Sequence, residues 1–164
     1  MNIEIMQASH DQKPVLEYLL ELYIYDFTEF LDFDVGPDGS YGYDRLPLYW
    51  KDSNRYPFLI FVENKIAGFA FVQRGCPVSD DKDVWDIAEF FILRKYRRKT
   101  VGTVAAINLW GRFKGRWQVR VLPGNKQALS FWSRAINQFV GIIVPAKEVE
   151  INKELRFVFY FDSV

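Results

Sequence analysis

Two sets of residues in this chain have the types and spacing for chemistry. The first is a pair of carboxylates in an apolar run, VWDIAEFFIL at residues 84–93, which carries Asp86 and Glu89. Apolar surroundings disfavour a charged carboxylate and raise its pKa toward the range where it can take up a proton near neutral pH. Three residues apart on a regular strand, the two carboxylates face opposite sides, so one at most reaches a given cleft unless a bulge intervenes. Glu89 sits in the more apolar part and is the favoured base. The alternative is that it pairs with an arginine and orients a loop. The second set follows at once. RKYRRKTVGTVAA, residues 94–106, puts five cations in six positions and then opens as a helix. The first N–H groups of a helix lack internal partners and carry the positive end of its dipole, which suits a phosphate. Gly102 would let the backbone approach closely. A pyrophosphate cradle is one reading of this pattern, and a solvated basic loop is the plain alternative.

Other reactive residues offer less. His10, the only histidine, lies in a polar run and reads as a surface residue. No His, Cys and acid cluster has metal-ligand spacing, so no metal is expected. Cys76, the only cysteine, excludes an internal disulfide framework, fits a reducing compartment and reads as structural. Tyr41, Tyr43, Tyr49, Trp50 and Tyr56, with Asp38 and Asp44 nearby, either wall a pocket for an acceptor or pack beneath a loop. Asn125, after Pro123-Gly124, could be a helix N-cap and nothing more.

The elements that must position these residues are legible from periodicity. Residues 1–6 alternate as an edge strand. A helical stripe from Pro14 runs through Leu16, Leu19, Leu20, Tyr23, Phe27, Phe30 and Leu31, with a break near Thr28. Residues 34–44 read as a loop, 56–75 as a hairpin turning at Asn64-Lys65, and 84–93 as a buried strand. A helix over 101–113, a strand over 116–122 and a helix striped by Ala128, Phe131, Trp132, Ala135 and Ile136 follow. Closing strands fall at about 138–144 and 155–161. The order β-α-α-β-β-β-α-β-α-β-β implies α/β layering with at least one parallel pair in the middle.

Length and composition agree with one domain over 1–164 and a substantial core: 49% of residues are apolar and 18% aromatic. The N-terminus shows no export signal, and no apolar run spans a bilayer, so a cytoplasmic protein with no membrane partner is expected. Net charge is zero but unevenly spread. From Phe90 to Lys147 there is no Asp or Glu, while that window holds 12 of the 21 Lys and Arg. A cationic segment on a neutral protein suits an anionic ligand, and the acidic remainder suits something cationic.

The motif residues resemble those of a known family. Arg97-Arg98-Lys99-Thr100-Val101-Gly102 is similar to the acyl-CoA-binding signature Arg/Gln-x-x-Gly-x-Gly/Ala of the GNAT superfamily of N-acyltransferases. Downstream, NKQALSFW is similar to the family's Asn-x-x-Ala-x-x-Phe-Tyr, with Asn125, Ala128 and Phe131 matching and Trp132 in the place of Tyr. The element order resembles the family fold over nearly the whole chain.

That resemblance implies a mixed, mostly antiparallel sheet of about 6–7 strands flanked by helices, and direct transfer of an acetyl group from acetyl-CoA to an amine. It implies that pantetheine lies beside the strand ending at Ile92, held by that strand's backbone and by Asn125. The N–H groups from Arg98 through Lys99, Thr100 and Gly102 to Thr103 would take the pyrophosphate. Two departures matter. Thr100 replaces a glycine and brings a Cβ where the backbone meets phosphate. Trp132 replaces a Tyr credited with protonating the leaving thiolate, and an indole N–H does not release its proton at ordinary pH. The acceptor is expected to be a small-molecule or peptide amine, with no nucleic acid involved, and exposed closing strands could pair two subunits in a homodimer. An acyl-CoA sensor without turnover stands second, and a basic-patch nucleic-acid binder third, since it accounts for the cations and not for their place before a helix.

Overall fold

The computed structural model describes residues 1–75 and 80–164. Cys76 falls outside them. Seven strands, β1 (Ile3–Gln7), β2 (Arg55–Val62), β3 (Lys65–Arg74), β4 (Trp85–Ile92), β5 (Gly115–Val121), β6 (Lys147–Ile151) and β7 (Glu154–Ser163), form one mixed sheet in the order β1-β2-β3-β4-β5-β7-β6. Every neighbouring pair is antiparallel except β4 and β5. Among the described residues the α-helices are α1 (Lys13–Phe27), the single turn α2 (Leu48–Lys51), α3 (Val101–Arg112) and α4 (Lys126–Val140).

The helices cover the sheet because each carries one apolar stripe. In α3 the buried residues Val101, Ala105 and Leu109 recur every four positions beside Ala106 and Trp110. With Trp132, Ala135 and Ile136 of α4 they pack on Ala70, Val72, Ile87 and Trp117 of one sheet face. On the other face, Leu16, Leu19, Leu20 and Tyr23 of α1 and Tyr49 of α2 pack on Leu59, Phe69, Phe71 and Phe91. The chain passes from β4 through α3 to β5, which is what a parallel neighbour requires.

Three boundaries differ from the sequence expectation. The helical stripe does not resume after Thr28: residues 28–31 form turns and a bend, and the second helix is the single turn α2. The closing strand placed at 138–144 is the end of α4 and the turn after it. The helical stripe continues through Phe139 and Val140, Gly141 ends it in a left-handed conformation at φ 81°, and β6 begins only at Lys147. Short aromatic and β-branched runs suit either element, and here packing against Trp110 decides for helix. The β2–β3 hairpin turns one residue earlier than read, on Glu63-Asn64, both at positive φ as a two-residue turn demands.

Candidate functional site

Only two residue pairs join β4 to β5, Trp85 with Trp117 and Asp86 with Gln118. Beyond them β5 continues to Val121 paired with β7 alone, so β4 from Ile87 to Ile92 parts from its parallel neighbour. Asp86 stands at the fork. It is fully buried, and it accepts hydrogen bonds from Gln73 Nε2 at 3.0 Å, Gln118 Nε2 at 3.3 Å, and Arg120 Nε and Nη2 at 3.1 and 2.8 Å. A buried carboxylate persists only with such partners. Asp86 is therefore occupied in joining β3, β4 and β5.

Glu89 lies on the same sheet face as Asp86, because a bulge does intervene. Phe71 of β3 pairs with Glu89 while the next residue, Val72, pairs with Ile87, leaving Ala88 as an extra residue in β4. The shift of one residue brings both carboxylates to the face covered by α1. There Tyr23 of α1 donates to Glu89 Oε2 at 2.5 Å, and Tyr43 of the loop between α1 and α2 donates to Oε1 at 2.9 Å. Burial pushes the Glu89 carboxyl above its ordinary value, and the two phenol hydrogen bonds, then Arg120 and Arg45, pull it partly back. Burial first, and the charge of Glu89 second, push the phenols of Tyr23 and Tyr43 up, so both stay protonated as donors. The same two causes push Tyr49 up to about 12.

The basic loop follows β4. A 3-10 turn over Arg94–Tyr96 leads to a bend with Arg98 at φ 58° and Thr100 at φ 64°, and α3 begins at Val101. Left-handed residues in such a stretch form the backbone concavities in which N–H groups gather around anions. The cations divide. Arg94 and Arg97 both bind Asp26 near the end of α1, Arg94 at 2.8 Å, and Arg97 also donates through Nε to the Ile92 carbonyl at 2.7 Å. Burial alone would raise the Asp26 carboxyl, but the arginine hydrogen bonds outweigh it and hold it below its ordinary value. Arg98, Lys99 and Thr100 are exposed beside the first turn of α3, whose N–H groups at Val101, Gly102 and Thr103 have no intrahelical acceptor.

The second motif interlocks with the first. A side chain at Gly102 would fit tightly: a Cβ there would stand 3.1 Å from the Phe131 ring, which would have to yield, and 3.6 Å from Ile92 Cγ1. Its close approach is to α4. Asn125 caps α4, accepting from Ala128 N–H at 3.0 Å. Trp132 is buried between Phe90, Phe131 and Trp110, with ring centroids 4.9, 4.8 and 6.1 Å away.

The aromatic cluster read from the sequence divides too. Tyr43 and Tyr49 gather near Glu89. Trp50 bonds the Ala8 carbonyl, and Tyr56 packs on Trp85 and Phe113 of the opposite face. Asp38 accepts from Ser40 within its own turn, Asp44 is exposed, and His10 is exposed with its ring edge on Trp50. Sequence reasoning missed Tyr23, Glu21 and Arg120. A tyrosine on the buried stripe of α1 was the one available signal, since a buried phenol seeks a partner. Two surface hollows, beside Asp81 and Arg116 and beside Ile142 and Val164, lie on the β5–β7 part of the sheet and hold none of these residues.

Residues 16–136 match the model of the Acetyltransferase (GNAT) family. Among solved structures, an acetyltransferase from Thermus thermophilus superposes with a TM-score of 0.69 at 14% identity, over 99% of this chain and 97% of that one. An N-acetyltransferase from Thermoplasma acidophilum, in complex with coenzyme A, gives 0.67 at 12% identity over 99% of both chains. A spermidine N-acetyltransferase from Vibrio cholerae, in complex with CoA and spermine, gives 0.68 at 12% identity over 98% and 95%. At these identities the likeness carries the fold alone. Among curated protein sequences none matches this chain.

Proposed function

The chain belongs to the Acetyltransferase (GNAT) family, and from that premise we propose that it moves an acetyl group from acetyl-CoA directly to the amine of a cationic acceptor. The observation that carries the reading is the parting of β4 from β5 just before the exposed residues Arg98 to Thr100 that lead into α3. A strand-width gap ending at a helix N-terminus suits a pantetheine arm that ends in a pyrophosphate. The β4 edge up to Ile92 would flank the arm and Asn125 would lie near it. Arg98, Lys99 and the N–H groups from Thr100 to Thr103 would take the phosphates. Arg97 contributes by tying the loop to α1 and to the Ile92 carbonyl. Gly102 contributes by letting α3 sit against Phe131.

Acetyl-CoA supplies the acetyl group as a thioester. The acceptor amine must lose its proton to attack, and Glu89 is the group suited to take it, directly or through water. Tyr23 and Tyr43 fix the orientation of that carboxylate. Trp132 stands in the place of the tyrosine and its indole does not release a proton, so the leaving thiolate would take its proton from solvent or another group. A cationic acceptor is favoured because Pro14 to Asp44, the helix and loop on the Glu89 side, holds eight acids and no Lys or Arg. The protein acts as one domain in which both sheet faces contribute. Among the described residues no helix is long and apolar enough to cross a membrane.

A thermal-shift titration with acetyl-CoA, CoA and a random DNA duplex, followed by an amine screen for turnover, tests the reading. Ligand at 100 times its dissociation constant stabilises by about 2.7 kcal/mol. A shift with both CoA forms and none with DNA, with turnover lost in Glu89→Gln, supports the enzyme. A second reading, an acyl-CoA sensor, is favoured by the strained Thr100 and the buried Trp132. Binding without turnover on any amine would select it, and silence toward both CoA forms would overturn both readings.

A further inference from the structure

We infer that Tyr43 is a positioning residue that makes the basicity of Glu89 depend on the docking of the loop between α1 and α2. The inference rests on the reading of Glu89 as the base. Glu89 is reached by two phenols from two different elements, and they are not equivalent. Tyr23 sits on the buried stripe of a 15-residue helix and is fixed by it, with its ring against Phe69 and Phe91. Tyr43 belongs to a 20-residue connection, 28–47, that contains no helix or strand.

Leu46 and the Tyr43 ring seat that connection on the core beside α1, and Glu21 fixes its backbone just before Tyr43. Its carboxylate accepts the N–H of Tyr41 at 2.7 Å and that of Gly42 at 2.8 Å, one on each oxygen. The two residues before Tyr43 are thereby tied to α1, and the Tyr43 ring is delivered against Phe71 with its hydroxyl on Glu89. Glu21, Tyr43 and Glu89 form a relay of position: one carboxylate grips the loop backbone so that the loop can grip the other carboxylate. With the loop docked, both Glu89 oxygens accept phenol protons and the anion is held in one orientation. With the loop released, one oxygen loses its donor and the carboxyl is left among apolar side chains. An acceptor that seats the loop would thus tune its own base.

The groups facing Glu89 are Tyr23 from α1, Tyr43 and Arg45 from the loop, Tyr49 from α2, and Arg120 from β5 with its partner Asp86 on β4. Of these, Tyr43 and Arg45 travel with the loop, and only Tyr43 is bonded to Glu89. A hydrogen bond donated to a carboxylate favours the charged form, so losing it raises the pKa.

The test is a side-chain carboxyl NMR titration of protein labelled with 13C at glutamate, with Glu89 assigned through Glu89→Gln. Tyr43→Phe keeps the ring on Phe71 and removes one oxygen, and it should move the Glu89 titration to higher pH. Glu21→Ala, which removes the loop's grip, should move it the same way. The double variant should shift it no further than the larger single change, because both act through one element. In turnover, the acid limb of kcat should follow the titration and kcat should drop roughly tenfold to a hundredfold, with the KM for acetyl-CoA unchanged. A Glu89 titration unmoved by Tyr43→Phe, or shifts that sum in the double variant, would overturn the inference. The titration needs no turnover. Shifts as expected in a protein that transfers no acetyl group would leave the coupling intact and remove only the catalytic reading.

Discussion

Glu89 carries a cost that its neighbours only reduce. Its folded pKa lies above its unfolded value, so the sign of its linkage follows directly. At acid pH both states are protonated and the residue is neutral to stability. As pH rises through the unfolded value and then the higher folded one, the unfolded chain ionises first and the folded state loses ground. Glu89→Gln should therefore leave acid stability nearly unchanged and be the more stable protein at neutral pH. Urea denaturation at several pH values measures the difference, which must grow with pH. Thr100 shows a second local tension, since a β-branched residue at φ 64° meets its own backbone in a region that suits glycine. Thr100→Gly should be more stable than Thr100→Ala by about 1 kcal/mol. It should also bind CoA more tightly, by removing the Cβ from the phosphate side; equal affinities in calorimetry would show that the phosphates lie elsewhere.

At the scale of elements, β3 meets the end of β4 at a glycine. A Cβ on Gly68 would fall 2.0 Å from the Phe91 carbonyl oxygen, and a backbone atom cannot swing aside as a side chain can. Gly68→Ala should displace the end of β4 and destabilise by about 3 kcal/mol; an unchanged urea midpoint would refute the close contact. The strand-loop-helix around residues 84–113 was legible in the sequence because hydrophobic periodicity, cation clustering and a helix start all act locally. The burial of Glu89 was legible through its apolar neighbours. Its partners were not, because Tyr23 lies 66 positions away and nothing local marks which phenol of many will meet it. The bulge was also hidden. Ala88 between Ile87 and Glu89 fits a regular strand equally well, and the extra residue is forced only by the pairing with β3. The expected strand at 138–144 failed for a related reason: its apolar residues fit either period, and burial against Trp110 selects the helix.

Over the whole molecule, the zero net charge hides two faces of opposite sign. The acid-only segment 14–44 supplies α1 and the loop on one sheet face, and the acid-free window 90–147 supplies the basic loop, α3 and α4. A polyanionic donor and a cationic acceptor would each be drawn to its own side of the same cleft. Raising salt from 50 to 500 mM should lower kcat/KM for both substrates while leaving kcat nearly constant, since the Debye length, about 10 Å at 0.1 M, falls well below the reach of these fields. A drop confined to kcat would place the effect in chemistry rather than encounter. The extra residue at Ala88 has a consequence beyond this chain. A strand that gains or loses one residue part-way along its length exchanges which of the later side chains reach a given face. Two acetyltransferases of identical geometry can thus keep their bases in different columns of an alignment. A base sought by counting back from the basic loop would be found in one and missed in the other, and chains lacking an acid at the expected column need not be inactive.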